Sequence, residues 1–444
     1  MSDRTDAIDR STFASLKLPD YLFLWIGMLG AAFALNMQLI AQGWLVYEMT
    51  VSKMNLGWVT IAFMFPQVAF ALLGGVLADR FNKKRVLLWA QFGNALVSLA
   101  MAIIVLTGRV TFFDFIWMGA LNGTILALSI PARTAFIPQL VGEPLMFNAM
   151  AFNTASWNLA RILGPVLAGF IIALVADGDT GSHFGVGVVY LILTGLYLIS
   201  AVTVFGIRHS GDPEKSAPTH PLTDVREGMT YVWNSPIVGG LILLSIMPFL
   251  FGLTINTLLP AYNTDVLGGN ASDLGILMSG MGLGAIVGSL VLAKLGELRN
   301  KGFWLFLTSL GWGVGVAWFG YSSVTLWALI SIAAVGFVSS VNMSMNRSLV
   351  QLQVRQSMRG RVMSIDMMSH GLMPLGVIPV TLIAERHGVQ MGLIASGALL
   401  VVSTLLLWVL LASVRRIDRG YRTQDRDDQA PPLAADPSQP KAVH

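Results

Sequence analysis

Apolar residues run through this chain in long blocks separated by short polar knots. The blocks fall at roughly 21–47, 54–78, 84–107, 112–131, 148–176, 185–207, 236–260, 272–294, 302–320, 323–345, 362–384 and 389–413. A helix rises about 1.5 Å per residue, so about 20 residues cross the ~30 Å hydrocarbon core of a bilayer. The pattern predicts an all-α membrane protein with twelve transmembrane helices. The first block also admits a signal-peptide reading, because basic residues precede it and Ala32-Phe33-Ala34 resembles a cleavage site. The apolar run continues past that point, and cleavage would leave eleven helices, so a span is expected there.

The polar knots set the orientation. "GGVLADRFNKKRVL" (74–87) packs Asp79 against Arg80, Lys83, Lys84 and Arg85. With both termini on one side, 24 of the 28 Lys and Arg residues fall on that side. Three lie in the opposite loops (Lys53, Arg109 and Arg386), and only Arg161 falls inside a block. Basic loops stay in the cytoplasm. The expectation is a multi-pass protein of the cytoplasmic (inner) membrane with both termini cytoplasmic.

The longest internal polar segment divides the blocks six and six. It opens on the Pro/Ser-rich "RHSGDPEKSAPTHP" and continues into "LTDVREGMTYVWNS", whose helical apolar spacing predicts a helix lying on the membrane surface. The organisation expected is a cytoplasmic segment 1–20, a six-helix bundle 21–207, a cytoplasmic linker with surface helix 208–235, a second bundle 236–413 and a disordered cytoplasmic tail 414–444. The halves repeat. Leu56-Gly57 precedes Asn82-Lys83 by 26 residues, and Leu274-Gly275 precedes Asn300-Lys301 by the same interval. That register sets Glu297 against Asp79, and Arg161 against His370. Parallel repeats imply a pseudo-two-fold axis along the membrane normal, with a site near the midplane between the bundles.

Gly75-x-x-x-Asp79-Arg80-x-x-Lys83-Lys84 resembles the loop signature of the major facilitator superfamily, with Asn82 where the family usually has Gly. Asn tolerates left-handed backbone, so a tight turn is expected to survive there. "AQGWLVYEMT", "IPARTAFIPQLV", "NLARILGPVLAG" and "MRGRVMSIDMM" look like the bacterial branch of siderophore (enterobactin-type) and drug/macrolide exporters. The resemblance implies the major facilitator fold: two pseudo-symmetric six-helix bundles that give alternating access. It also implies that Asp79 docks at the cytoplasmic end of helix 11 and that the basic cluster latches the halves. Gly75, Asp79, Arg80, Lys83, Lys84, Arg133 and Arg361 are the latch candidates. Gly164, Pro165 and Gly169 resemble the helix-5 signature of the superfamily's antiporters, with Ala151, Ala160 and Ala168 where glycines usually stand. That element implies export driven by inward proton flow.

Polar residues inside spans are the other candidates. Arg161 is costly in hydrocarbon unless paired or wetted; it reads as a cavity residue or as a clamp on a helix carbonyl. Asp366 and His370 lie one turn apart, suited to proton exchange, although Asp366 also fits an interfacial ion pair near Arg361. Asn36, Gln38, Gln42, Asn122, Asn153, Asn256 and Asn342 read as substrate-lining amides or as interhelical hydrogen bonds. Gly280, Gly284 and Gly288 read as packing alone.

Composition narrows the classes. The chain is 55% hydrophobic and 12% charged, about half the charge of soluble domains. It has no cysteine, which excludes disulfides and thiolate metal sites. It has no GK[ST] phosphate loop, GxSxG or HExxH, and its histidines do not cluster. No enzyme activity, cofactor, metal, ATP drive or nucleic-acid partner is therefore expected. The partners expected are a small-molecule substrate, protons and the lipid bilayer, with a monomer as the working unit. The functional expectation is a secondary transporter, with proton-coupled export of a small amphipathic molecule first. Import or lipid transport on the same fold, or a non-transporting sensor or scaffold, are the alternatives.

Overall fold

The computed structural model describes residues 13–175, 183–212, 221–295, 300–355, 358, 361–363, 365, 366, 370–415 and 417. The side chains of Asp79 and His370, residue Glu297 and almost all of the tail lie outside this set. Ten described helices are long and apolar enough to cross a membrane: α1 (Pro19–Thr50), α3 (Lys83–Leu106), α4 (Phe112–Met146), α5 (Asn148–Val175), α6 (His183–Gly206), α7 (Pro236–Asp265), α8 (Ala271–Leu295), α9 (Lys301–Tyr321), α10 (Thr325–Gln353) and α12 (Val389–Leu410). Two more passes are made in pieces. α2 runs Lys53–Ala69 and resumes as Ala71–Arg80. α11 is helical at 361–363 and 365–366, turns as a 3-10 segment over His370–Leu372 and continues as Met373–His387. The amphipathic helix Pro221–Asn234 follows the linker.

The breaks have local causes. Pro66 removes a backbone donor from α2, and Phe70 leaves the helical region with ψ near 3°. In α7, Pro248 opens a π turn through Gly252, with the Leu253 N–H donating to the Pro248 carbonyl at 3.0 Å. α4 runs well past the end expected at 131. Pro131 and Pro138 sit inside the helix, and the chain turns into α5 only at Gly142, whose φ is 69°. Arg133, expected in a cytoplasmic loop, is consequently a helix residue.

α1, α3, α4, α5 and α6 pack among themselves, and α8 packs on α10 as α9 does on α12. The halves meet along α5–α8 and α2–α11. The repeated Leu-Gly pair marks both seams. A Cβ at Gly57 of α2 would stand 2.9 Å from the Thr381 Oγ1 of α11. A Cβ at Gly275 of α8 would stand 2.7 Å from the Pro165 carbonyl of α5. A glycine at each repeat lets α8 meet the α5 backbone at one seam and α2 meet the short Thr381 side chain at the other, the small-residue interface that close packing in lipid uses. Gly284 and Gly288 likewise bring α8 onto the α10 carbonyls of Ala333 and Phe337.

The repeat-related Asn residues take different conformations. Asn300 adopts left-handed backbone with φ 60°. Asn82 does not. Its φ is −60° and it caps α3, its Oδ1 accepting from the Arg85 N–H at 2.9 Å. The Asn82 amide is used by this cap and by bonds to the segment after α6, so the expected left-handed turn at 82 is replaced by capping.

Candidate functional site

Asp366 is the acid that the second half buries. It is 5% exposed, within an apolar cluster containing Val362 and Ile365 of its own helix and Leu241 and Leu244 of α7. Its Oδ1 accepts a hydrogen bond from the Ser245 hydroxyl at 2.9 Å. Ser245 lies just before the π turn of α7, and that turn packs against the 3-10 turn of α11. The acid therefore sits where two membrane passes lose regular α-helix side by side.

The first half buries cations instead. Arg161 is half-buried on α5, and no described residue hydrogen-bonds or pairs with it. Arg133 is 8% exposed and also lacks a described partner. It opens on a polar pocket of about 20 Å³ among α1, α3, α4, α5 and α6, together with Gln91, Asn94, Asn122, Trp157 and Tyr197. The side-chain oxygens of Gln91 and Asn94 and both polar atoms of Asn122 are buried without a partner. The rule that picked out Asn36, an amide inside a span, also finds Gln91 and Asn94.

The remaining amides divide. Asn342 donates to the Leu305 carbonyl and to the Thr308 hydroxyl, both at 3.0 Å, and so ties α10 to α9. Asn36 donates to the Ala32 carbonyl one turn back at 2.8 Å, and its Cβ packs against Gly164. Gln38 donates to Gln42 at 3.4 Å, leaving its own oxygen buried and unpaired. Asn153 and Asn256 each bury an oxygen without a partner.

The latch candidates make mostly local contacts. The Lys83 N–H donates to the Gly211 carbonyl at 2.8 Å, and Lys84 donates to the Ile207 carbonyl at 2.6 Å, where a cation suits the end of α6. Asn82 donates to the Ser210 carbonyl and, at 2.9 Å, to Asp212. These bonds join the first half to the start of the linker and do not reach the second half. Hydrogen bonds from Ser210 and Asn82 hold the Asp212 carboxyl below its ordinary range. Arg80 is exposed. Arg361 pairs with Glu227 of the surface helix at 2.7 Å. A Cβ at Gly75 would meet nothing within 4 Å, whereas one at Gly74 would stand 2.2 Å from the Ala127 carbonyl. The close approach of α2 to α4 belongs to Gly74.

The opposite face carries a join that sequence reading missed. Lys53 at the start of α2 pairs with Asp265 at the end of α7 at 2.8 Å. The Tyr47 hydroxyl donates to the same carboxylate. Glu385 of α11 accepts from the backbone N–H groups of Lys53 at 2.6 Å and Met54 at 3.2 Å, capping α2 from the other half. Deeper, Thr60 and Thr257 share a hydrogen bond of 3.2 Å. Next to this join, a Cβ at Gly169 would stand 2.4 Å from the Ala271 carbonyl.

Comparison with known proteins agrees with this architecture. The nucleoside transporter NupG superposes with a TM-score of 0.70 at 14% identity, covering 88% of this chain and 99% of that one. A peptide transporter of the POT type gives 0.69 at 15% identity, covering 90% and 96%. These likenesses establish the fold. Enterobactin exporters EntS of Shigella boydii serotype 4 and Escherichia coli O81 are each 25% identical over 337 residues, 76% of either chain. The profile of the transmembrane secretion effector family matches residues 10–437. With that profile matching nearly the whole chain, the protein belongs to the transmembrane secretion effector family of major facilitator transporters.

Proposed function

We propose that this transporter exports a small amphipathic molecule in exchange for protons, as a multi-pass monomer of the inner membrane with both termini in the cytoplasm. The carrying observation is Asp366: a buried acid with a hydroxyl partner, set beside irregular backbone in both α7 and α11. Discontinuous helices near the midplane are where transporters place coupling sites. In this reading Asp366 carries the coupled proton as alternating access turns it towards one side of the membrane and then the other. His370 follows one turn later and is the second proton candidate.

Arg161 and the amides Asn36, Gln38, Gln42, Asn122, Asn153 and Asn256 supply the polar lining. Pro165 and Gly169 supply the seam against α8, and Gly164 supplies the contact of α5 with α1. The positive-inside bias puts the join at Lys53, Asp265 and Glu385 on the periplasmic face, so the described state is shut towards the outside. Rocking of the bundles 21–207 and 236–413 about their seams would open it. Exporter relatives at 25% identity favour outward transport.

The test is a panel of amphipathic compounds in proteoliposomes with an imposed pH gradient. Outward-directed accumulation with coupled proton flux is expected for the wild type, and a loss of at least tenfold for Asp366→Asn and for Arg161→Ala. Accumulation in the opposite sense would establish an importer. Absence of both cargo movement and cargo-dependent proton flux would refute transport coupling.

A further inference from the structure

We propose that the pocket around Arg133 is a binding site for one small planar anion of the carboxylate class. Arg133 brings a permanent charge into a membrane-spanning helix, where an uncompensated buried cation is costly. The chain does not compensate it. The residue is more than nine-tenths buried, no described residue accepts a hydrogen bond from it, and none of the residues lining the pocket is a carboxylic acid. A bound anion supplies the missing charge.

The rest of the lining fits that occupant. Asn122 leaves both ends of its amide unpaired, and Gln91 and Asn94 leave their oxygens unpaired. An amide without fixed partners can turn its N–H groups towards an anion. The guanidinium is a planar fork that holds a carboxylate through two parallel bonds. Tyr197 adds a hydroxyl, and Trp157 closes the wall.

Size and position narrow the class. One water needs ~10–15 Å³ of free space and the pocket offers about 20 Å³, so it suits a single carboxylate head and little more. Five helices of one half surround it. A lipid headgroup or a bulky aromatic acid does not fit inside such a ring. The site is separate from the proton role given to Asp366, and its test involves no transport.

The full-length protein in detergent is melted while its tryptophan fluorescence is followed. Sodium formate is titrated against sodium chloride at constant ionic strength, with sodium pivalate as the bulky control. Formate is expected to raise the wild-type melting temperature saturably, by about 1 °C or more. Pivalate and chloride leave it unchanged. Arg133→Gln abolishes the formate response, and Arg133→Lys weakens it because an ammonium lacks the fork. Without formate, Arg133→Gln melts at or above the wild type, since an unpaired buried charge is gone. If Arg133→Gln does not fold, Asn94→Leu carries the test, with a formate midpoint at least threefold higher. A wild type indifferent to formate, as a pocket holding only water would be, overturns the proposal. So does an equal formate response in wild type and Arg133→Gln.

Discussion

The two halves of this transporter bury opposite charges. The first holds two arginines, Arg133 and Arg161, without described partners, and the second holds Asp366 bonded to Ser245. A guanidinium keeps its proton at any physiological pH, whereas a carboxyl can exchange one. The difference puts fixed positive charge in one bundle and, under the coupling proposed above, the proton-carrying group in the other. A fold built from repeats has been given unlike chemistry in its two copies.

The sharpest way to break that contrast is Asp366→Asn. The amide still accepts from Ser245, so the melting point is expected to hold within about 1 °C, the shift of a ~1 kcal/mol change at this chain length. Flux driven by a pH gradient should fall about 100-fold while cargo exchange without a gradient persists. Unchanged gradient-driven flux would remove the acid from the coupling scheme.

Next in size is the seam between the halves. Gly169→Leu drives a side chain into the Ala271 carbonyl, 2.4 Å from where its Cβ would stand. Overpacking of this kind costs ~1–3 kcal/mol. Unfolding in denaturant should show it, and Leu at Gly75, where a Cβ meets nothing, is the control with little loss.

Smaller again is the polar join. Lys53→Met removes one partly exposed ion pair, worth ~0.2–1 kcal/mol. Because the chain lacks cysteine, a single cysteine placed at Thr257 reports opening cleanly. Its labelling from the Lys53 side should rise up to about fivefold, the factor that corresponds to ~1 kcal/mol. No rise would mean the α5–α8 contact alone keeps that face shut.

The smallest effect is the Asp212 tether. Its carboxyl titrates below the ordinary value, so the tether is complete above about pH 4 and is lost as pH falls through the lowered value. Hydrogen exchange at the Lys83 amide should be flat from about pH 5 to 8, after correction for intrinsic rates, and quicken only in stronger acid.

What could be read from the sequence follows range of interaction. Spans come from runs of apolar residues, which are local, and all twelve were legible. The Leu-Gly pairs at 56–57 and 274–275 were legible as a repeat, but their place at the two seams depends on which helix lies opposite. Arg133 was misplaced because Pro131 and a charge look like a loop, and only neighbouring helices make that helix tolerable. Lys53, Asp265 and Glu385 carried topology information singly. Their pairing spans more than 200 residues of chain and leaves no local trace. Asn82 was identified as a turn residue by type, but which backbone it takes depends on the segment after α6, to which it bonds.

The seams at Gly57 and Gly275 also bear on speed. Where backbone approaches backbone or a short Thr side chain, there are few long side chains to be freed and refrozen as the halves roll. The rate of rocking should then have a small activation entropy from side chains, since most rotamer cost lies in long residues. Side-chain ordering would then add little to that barrier, which falls instead to backbone packing, lipid and cargo.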